Sequence, residues 1–279
     1  MSRPSGLEEL EALARAFASG EQTPSEPRHA STVVLLRDAP AGPEAYLLRR
    51  VKGMAFAGGM HVFPGGSVDP EDERPDVAWA GPPAAQWGRW FGADEPLARA
   101  LVCAAVRETF EECGVLLAGP SESELLADVS SDEWEAERVA LEAREQSMSD
   151  LLARRGLVLR ADLLRPYAHW VTPEVEPKRF DTRFFLAQLP AGQVCRPVGG
   201  EADERLWVRP QDALEQELRL LPPTFHSLKD LARYDDVASA LDDPREVTLV
   251  DPRLVIDADG SVRLVVPGEA DYPTSDLRA

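Results

Sequence analysis

Three glutamates fall within five residues in RETFEECGVLL, the stretch from Arg107 to Leu117. On a helix Glu108, Glu111 and Glu112 project to one side, because residues three and four apart are surface neighbours. Like charges so placed weaken an isolated helix, and the ordinary reading of such a run is a solvated acidic face. Two features favour chemistry instead. Arg107 precedes the cluster, where a guanidinium can orient a carboxylate or meet a phosphate. The turn FPGG, Phe63 to Gly66, lies upstream and offers glycine backbone that can approach an ion or a phosphate closely. Carboxylate oxygens in this number suit a hard cation such as Mg²⁺ or Mn²⁺.

The other candidates are weaker. Arg49, Arg50 and Lys52 form the best basic cluster for an anionic substrate, against a solvated strand end. His61 lies beside FPGG, where packing next to the turn is the commoner role for a loop histidine. His169 and His226 fit core or loop positions and have no visible metal partners in the sequence. Trp170, Phe180, Phe184 and Phe185 read as core aromatics before they read as a base-stacking platform. Cys103, Cys113 and Cys195 form no CxxC pair, so neither a zinc site nor a disulfide framework is expected. Cys113 reads as a small buried hydrophobe.

With 30 Lys and Arg against 49 Asp and Glu, the formal charge is −19. That balance argues against nucleic-acid binding, which needs clustered basic residues. An anionic substrate must then be received by a local basic patch or by bound cations. The first residues, MSRPSGLEELEALARAF, lack the apolar core of a signal peptide, and no apolar run approaches membrane-spanning length. The expected compartment is the cytoplasm, with no membrane partner. The final Leu277-Arg278-Ala279 is not a peroxisomal tripeptide.

The elements that must position the glutamates follow from local patterning. Leu7–Phe17 has helical spacing and Ser19–Ala30 reads as a linker, so residues 1–30 form an N-terminal extension. Ser31–Asp38 and Glu44–Arg50 read as two buried strands joined through APAGP. Asp69 to Ala93 is acidic and irregular, with one short helix near Trp87–Phe91. The helix carrying the glutamates starts at Glu95-Pro96 and stops at Gly114, with Val102, Val106, Thr109 and Cys113 as its apolar stripe. Residues 121–165 are expected to form two helices. His169 onward leads from a loop into a strand over Arg179–Leu189, and Glu204–Val208 is a further strand. Helices are expected over Pro210–Leu218 and from Pro222 to about Leu241. A hairpin should turn at Asp259-Gly260. Strands and helices without regular alternation imply a mixed sheet flanked by helices.

RETFEECGV resembles the second half of the Nudix box, G-x5-E-x7-R-E-U-x-E-E-x-G-U with U aliphatic. Arg107, Glu108, Glu111, Glu112, Gly114 and Val115 fall on its positions, and Thr109 departs from an aliphatic one. FPGG is similar to the start of the box, with Gly66 as the first glycine. From Gly66 to Arg107 is 41 positions where the pattern has 14, so 27 residues are inserted before the helix. An insertion after Asp72 places that residue at the first glutamate's position, with Asp69 and Glu71 as alternatives. The split box resembles the peroxisomal coenzyme A diphosphatase branch of the Nudix hydrolases and its bacterial relatives. HWVTP…RFDTRFF and DADGSVRLVVPGE extend the likeness over most of the chain. GGMHVFPGG is similar to half of a coenzyme A recognition motif whose arginine is replaced here by Ala55.

The resemblance implies a Nudix-type α/β/α sandwich over residues 31–279, with an insertion at about 70–95, a helical segment at about 121–165 and a C-terminal extension at about 222–279. It implies metal-dependent hydrolysis of a pyrophosphate bond in a nucleoside diphosphate derivative, first of all coenzyme A or acyl-coenzyme A. ADP-ribose, NADH or another nucleotide sugar is the alternative substrate, and a non-catalytic nucleotide-binding sensor or scaffold is the alternative of another class. Glu111 and Glu112 are implied as principal ligands of Mg²⁺ or Mn²⁺, joined by the Gly65 carbonyl. Glu108 is a ligand or the base that holds the attacking water, and Arg107 orients the glutamates. Glu201 is the first candidate for an additional acid from a later loop, followed by Glu174 and Glu176. Arg49, Arg50, Lys52 and Gly66 would contact the substrate. The expected partner is a small nucleotide, and a homodimer is compatible with the sequence.

Overall fold

The computed structural model describes residues 12, 15–17, 19–54, 57–74, 76–197, 200, 202–216, 218–257 and 261–269. The chain forms two compact units. The larger comprises His29–Ala168 and Arg183–Val247, and it holds the glutamates and the FPGG turn.

Its centre is built on two apolar runs. Strand β1 (Arg28–Ala39) and strand β2 (Gly42–Arg50) pair antiparallel, with Leu36 opposite Ala45 and a tight return at Gly42. Val33–Leu36 and Ala45–Leu48 are buried at every residue. Such unbroken runs mark strands covered on both faces, where alternation disappears. Short strands β3 (His61–Val62) and β4 (Gly65–Ser67) lie against β2 and β1, so the FPGG turn is sewn to the sheet on both sides. After β5 (Trp79–Ala80), β6 (Ala118–Gly119) and β7 (Val158–Arg160), which form a small separate sheet in the order β5-β7-β6, the chain adds β8 (Leu164–Val171), β9 (Phe180–Gln188) and β10 (Ala202–Val208). The main sheet runs β10-β2-β1-β9-β8.

The inserted segment is more ordered than its composition suggests. It forms a 3-10 turn at Pro70–Glu73, then β5, then helix α1 (Ala84–Phe91) closed by Gly92. Trp87 and Phe91 of α1 pack on Phe185 of the sheet, with ring centroids 5.5 and 5.0 Å apart. Helix α2 (Glu95–Cys113) begins where Pro96 predicts, with the Asp94 side chain accepting from the Leu97 amide at 3.0 Å, and ends at Gly114 in the left-handed conformation. Its apolar contact is wider than the expected stripe. Residues 100–107 are all buried, because the helix packs against both α1 and β4. Thr109 fits this setting, since its hydroxyl donates to the Ala105 carbonyl at 2.7 Å.

Residues 121–165 contain the two expected helices, α3 (Asp132–Glu142) and α4 (Met148–Arg155), but the segment ends in β7 and the start of β8. The loop expected at His169 is therefore the end of a strand. Arg165 and Pro166 disguise β8 in the sequence. The expected helix at Pro210–Leu218 is the shorter α5 (Pro210–Glu215), and the one from Pro222 divides into α6 (Pro222–Leu231) and α7 (Val237–Asp242).

In the smaller unit β11 (Leu249–Val250) pairs parallel with the end of β8, which makes the sheet mixed. Strands β12 (Arg253–Ile256) and β13 (Val262–Val265) form the expected antiparallel hairpin, and the turn residues Asp259 and Gly260 lie outside the described residues. Of the N-terminal helix only 12 and 15–17 are described, and they are helical. No helix among the described residues is long and apolar enough to cross a membrane.

Candidate active site

The last two turns of α2 carry the glutamates, and β4 brings the glycine turn to them. Register places Gly65 opposite Thr32 and Gly66 opposite Ser31. The fully buried Ser31 hydroxyl donates to the Leu101 carbonyl of α2 at 2.6 Å, pinning helix to strand directly behind the turn. The Gly65 amide donates to Glu112 Oε2 at 2.8 Å. A Cβ on Gly66 would collide with the Glu108 carboxylate, and one on Gly65 would collide with the Ser31 carbonyl. Both glycines are thus required by close approach.

Arg107 organises the rest. Its Nε and Nη2 reach Asp72 at 3.1 and 2.9 Å, Nη2 also donates to the Ser67 carbonyl at 2.8 Å, and Nη1 reaches Glu108 at 2.8 Å and Glu111 at 3.2 Å. One buried guanidinium therefore faces three carboxylates. Of the three acids considered for the first half of the box, the structure puts Asp72 on Arg107. Asp69 caps the 3-10 turn and pairs with Arg144, while Glu71 lies 3.9 Å from Arg74. The turn is closed by the Asp69 amide donating to Asp72 at 2.9 Å.

A single cation does not offset this many buried acids. Burial pushes the Glu108 carboxyl well above the usual range, with Glu112 and Glu111 adding to the rise and Arg107 opposing it. Glu111 and Asp72 are raised by burial as well, again against Arg107. The donors are all hard oxygens, and the site carries negative charge in excess. By chemistry and charge it fits a divalent cation. Among the described residues no three His, Cys, Asp or Glu side chains converge in a ready metal geometry.

The remaining predicted residues lie elsewhere or are engaged. Arg49 is held by Asp203 and Glu204, both at 2.6 Å. Arg50 ends β2, opposite Ala202, and Lys52 is exposed in the following turn. His61 is buried, with Nε2 3.6 Å from Glu204. Glu201 lies outside the described residues. In the smaller unit Glu174 pairs with Arg253 at 2.6 Å, Glu176 sits in a turn through its amide, and His169 meets Asp181 at 2.5 Å. Trp170, Phe184 and Phe185 are buried, as core residues should be, whereas Phe180 is half-buried with the Lys178 ammonium 5.3 Å from its ring centroid. Cys113 is buried and donates to the Thr109 carbonyl. Ser31 and the Ser67 carbonyl are the contributors that sequence reasoning missed. Their roles come from strand pairing, which leaves no local signal.

Known proteins are similar to this chain over the region that carries the three glutamates. The profile of the NUDT19 Nudix domain matches residues 89–231, which include all of α2. The chain is similar to the acyl-coenzyme A diphosphatase NUDT19 of chicken, at 28% identity over 88% of this chain and 80% of that protein. The human protein of the same name is 28% identical over 89% of this chain and 81% of its own length. Among solved structures, a Nudix hydrolase from Alicyclobacillus acidocaldarius is 32% identical, covering 80% of this chain and 98% of that one, with a TM-score of 0.68.

Proposed function

The chain belongs to the Nudix hydrolase family, in the branch described by the NUDT19 Nudix domain, and from that premise we propose that it hydrolyses the pyrophosphate bond of coenzyme A or an acyl-coenzyme A. The products are 3′,5′-ADP and phosphopantetheine or its acyl form. The relatives named acyl-coenzyme A diphosphatase support this substrate class. The observation that carries the reaction type is the set of Glu108, Glu111 and Glu112 beside the Gly65-Gly66 turn, with Arg107 facing two of the three.

In this reading Glu111 and Glu112, with the Gly65 carbonyl, would hold Mg²⁺ or Mn²⁺, and Glu108 would either complete the set or accept the proton of the attacking water. Held there, a divalent cation would neutralise the diphosphate and supply Lewis acidity. Arg107 keeps Glu108 and Glu111 in place, and Asp72 keeps Arg107 in place, so the carboxylates do not need to be ordered when substrate arrives. The water oxygen forms the new bond to phosphorus, the bridging P–O bond breaks, and the leaving phosphate departs with the bond's electron pair.

The test is a kinetic panel of coenzyme A, acyl-coenzyme A, ADP-ribose, NADH and diadenosine polyphosphates with Mg²⁺ or Mn²⁺. Coenzyme A or an acyl ester should have the highest kcat/KM, with 3′,5′-ADP as the nucleotide product. A higher value for ADP-ribose or NADH would sink the substrate assignment. Tight nucleotide binding with no hydrolysis of any compound would replace the enzyme by a binding module.

A further inference from the structure

We propose that Arg219 and Lys52, meeting at Gly59, form a subsite for a phosphate monoester carried by the nucleotide substrate. This inference rests on the coenzyme A reading, whose substrate has such a group at the 3′ position. In a chain with 49 acids against 30 Lys and Arg, an arginine without an acidic partner is informative. Arg49, a member of the basic cluster expected from sequence, is neutralised by Asp203 and Glu204. Arg219 is exposed and has no ion-pair partner among the described residues.

Three observations give Arg219 a defined place. First, a Cβ built on Gly59 would lie 3.4 Å from Lys52 Cγ and 3.7 Å from Arg219 Nη1, so both side chains border one bare stretch of backbone. Gly59 has φ +75, and at the adjacent Gly58 a Cβ would come within 2.7 Å of the Lys52 carbonyl, so the loop is tightly folded there. Second, the segment bearing Arg219 is anchored. The His61 amide donates to the Arg219 carbonyl at 2.7 Å, and His61 bridges Leu220 in parallel register. Third, the neighbours of Arg219 face the other way. Leu218 and Leu220 line an apolar cavity of about 360 Å³ with Leu214 and Phe225. Alternation in an extended segment then turns Arg219 away from it, toward Gly59.

The anchor is also the link to the chemistry. His61 opens β3, and four residues later Gly65 meets Glu112. Those four residues span at most about 14 Å of extended chain. The Arg219 backbone is therefore anchored to the strand that leads into the Gly65 turn, and its guanidinium takes no part in the Arg107 contacts. A phosphate monoester suits the pair, because the guanidinium fork can bind two of its oxygens while the ammonium acts as a point charge.

The experiment compares wild type, Arg219→Ala and Arg219→Lys. It measures kcat and KM for coenzyme A and dephospho-coenzyme A, and calorimetric binding of adenosine 3′,5′-bisphosphate and AMP. The wild type should prefer coenzyme A through KM. Arg219→Ala should raise that KM about tenfold, the cost of one charge-assisted contact, with kcat and the constants for dephospho-coenzyme A unchanged. Binding of the bisphosphate should weaken by the same factor while AMP binding holds, and Arg219→Lys should recover part of both. An unchanged preference in Arg219→Ala, or bisphosphate binding that ignores the substitution, would overturn the subsite while leaving coenzyme A hydrolysis intact. A wild type that hydrolyses neither compound would bring down the parent reading and the subsite with it.

Discussion

Arg107 on α2 and Arg138 on α3 each face two glutamates of their own helix, Glu108 and Glu111 in one case and Glu135 and Glu142 in the other. Both guanidiniums are buried, and every pair but Arg107–Glu108, whose members are adjacent, has the i,i+3 or i,i+4 spacing of an ordinary helical ion pair. The acids differ. Glu108 and Glu111 expose only 12% and 13% of their side chains, whereas Glu135 and Glu142 expose 36% and 40%. Burial therefore raises the proton affinity of Glu108 and Glu111, while the Arg138 hydrogen bond holds Glu135 below the usual carboxylate range. Arg138 also donates to the Glu111 carbonyl at 2.9 Å, and Arg196 reaches Glu135 at 2.9 Å. The α3 cluster is a strut that braces the end of α2. The α2 cluster holds charge in excess, and the lesson is that desolvation of the acid, not the presence of an arginine, separates a site from a brace.

Substitutions at matching positions test this contrast most strongly through turnover. Glu111→Gln or Glu112→Gln should lower kcat by 10²–10³-fold or more, on the order found for removing one electrostatic group from an active site, with an unchanged circular dichroism spectrum. Glu135→Gln should leave kcat within about twofold, since exposed pairs contribute little. Equal losses in both clusters would erase the distinction.

Stability should split the same way. Asp72→Asn weakens the hydrogen bonds that anchor buried Arg107 while Glu108 and Glu111 remain beside it, and urea unfolding should show a loss of roughly 1.5–3 kcal/mol. Glu142→Gln opposite Arg138 should cost under about 1 kcal/mol. A smaller loss at Asp72 than at Glu142 would mean that the Arg107 pair is not a structural anchor.

The two glycines sharpen the α2 side alone. Gly66→Ala pushes against the movable end of Glu108, so kcat should fall about tenfold, as expected for a misplaced group, with the melting temperature nearly held. Gly65→Ala pushes against the Ser31 backbone and should destabilise by about 1–3 kcal/mol. Reversed outcomes would show that Glu108, not the strand, is the rigid partner.

The smallest effect is a pH dependence on the α3 side. The folded-state pKa of Glu135 is depressed, so its contribution to stability is present above the unfolded value of about 4.3. It is lost as pH falls through the folded value. Wild type and Glu135→Gln should therefore differ in melting temperature at neutral pH and converge in acid. A gap that stays constant with pH would detach Glu135 from Arg138.

Much of the frame was legible because its signals are local. Pro96 and Gly114 bracket α2, the apolar runs of β1 and β2 announce buried strands, and the hairpin follows from two short apolar runs. Strand β8 was not legible, since Arg165 and Pro166 break its pattern and only sheet neighbours hold it extended. Glu108, Glu111 and Glu112 could be singled out by helical geometry and resemblance. Asp72 could not be separated from Asp69 and Glu71, because the insertion removes the spacing that would choose among three acids in four residues.

The sequence by itself determined which residues share a helix face and where that helix starts and stops. These depend on neighbours a few positions apart, through capping, turn conformation and helical period. Tertiary structure alone decided that Asp72 meets Arg107, that Arg49 is neutralised while Arg219 meets no acid among the described residues, and that Glu108 and Glu111 are largely buried while Glu135 and Glu142 are not. Desolvation and charge pairing act between groups that folding brings together from 35 to 154 positions apart. No local pattern records them.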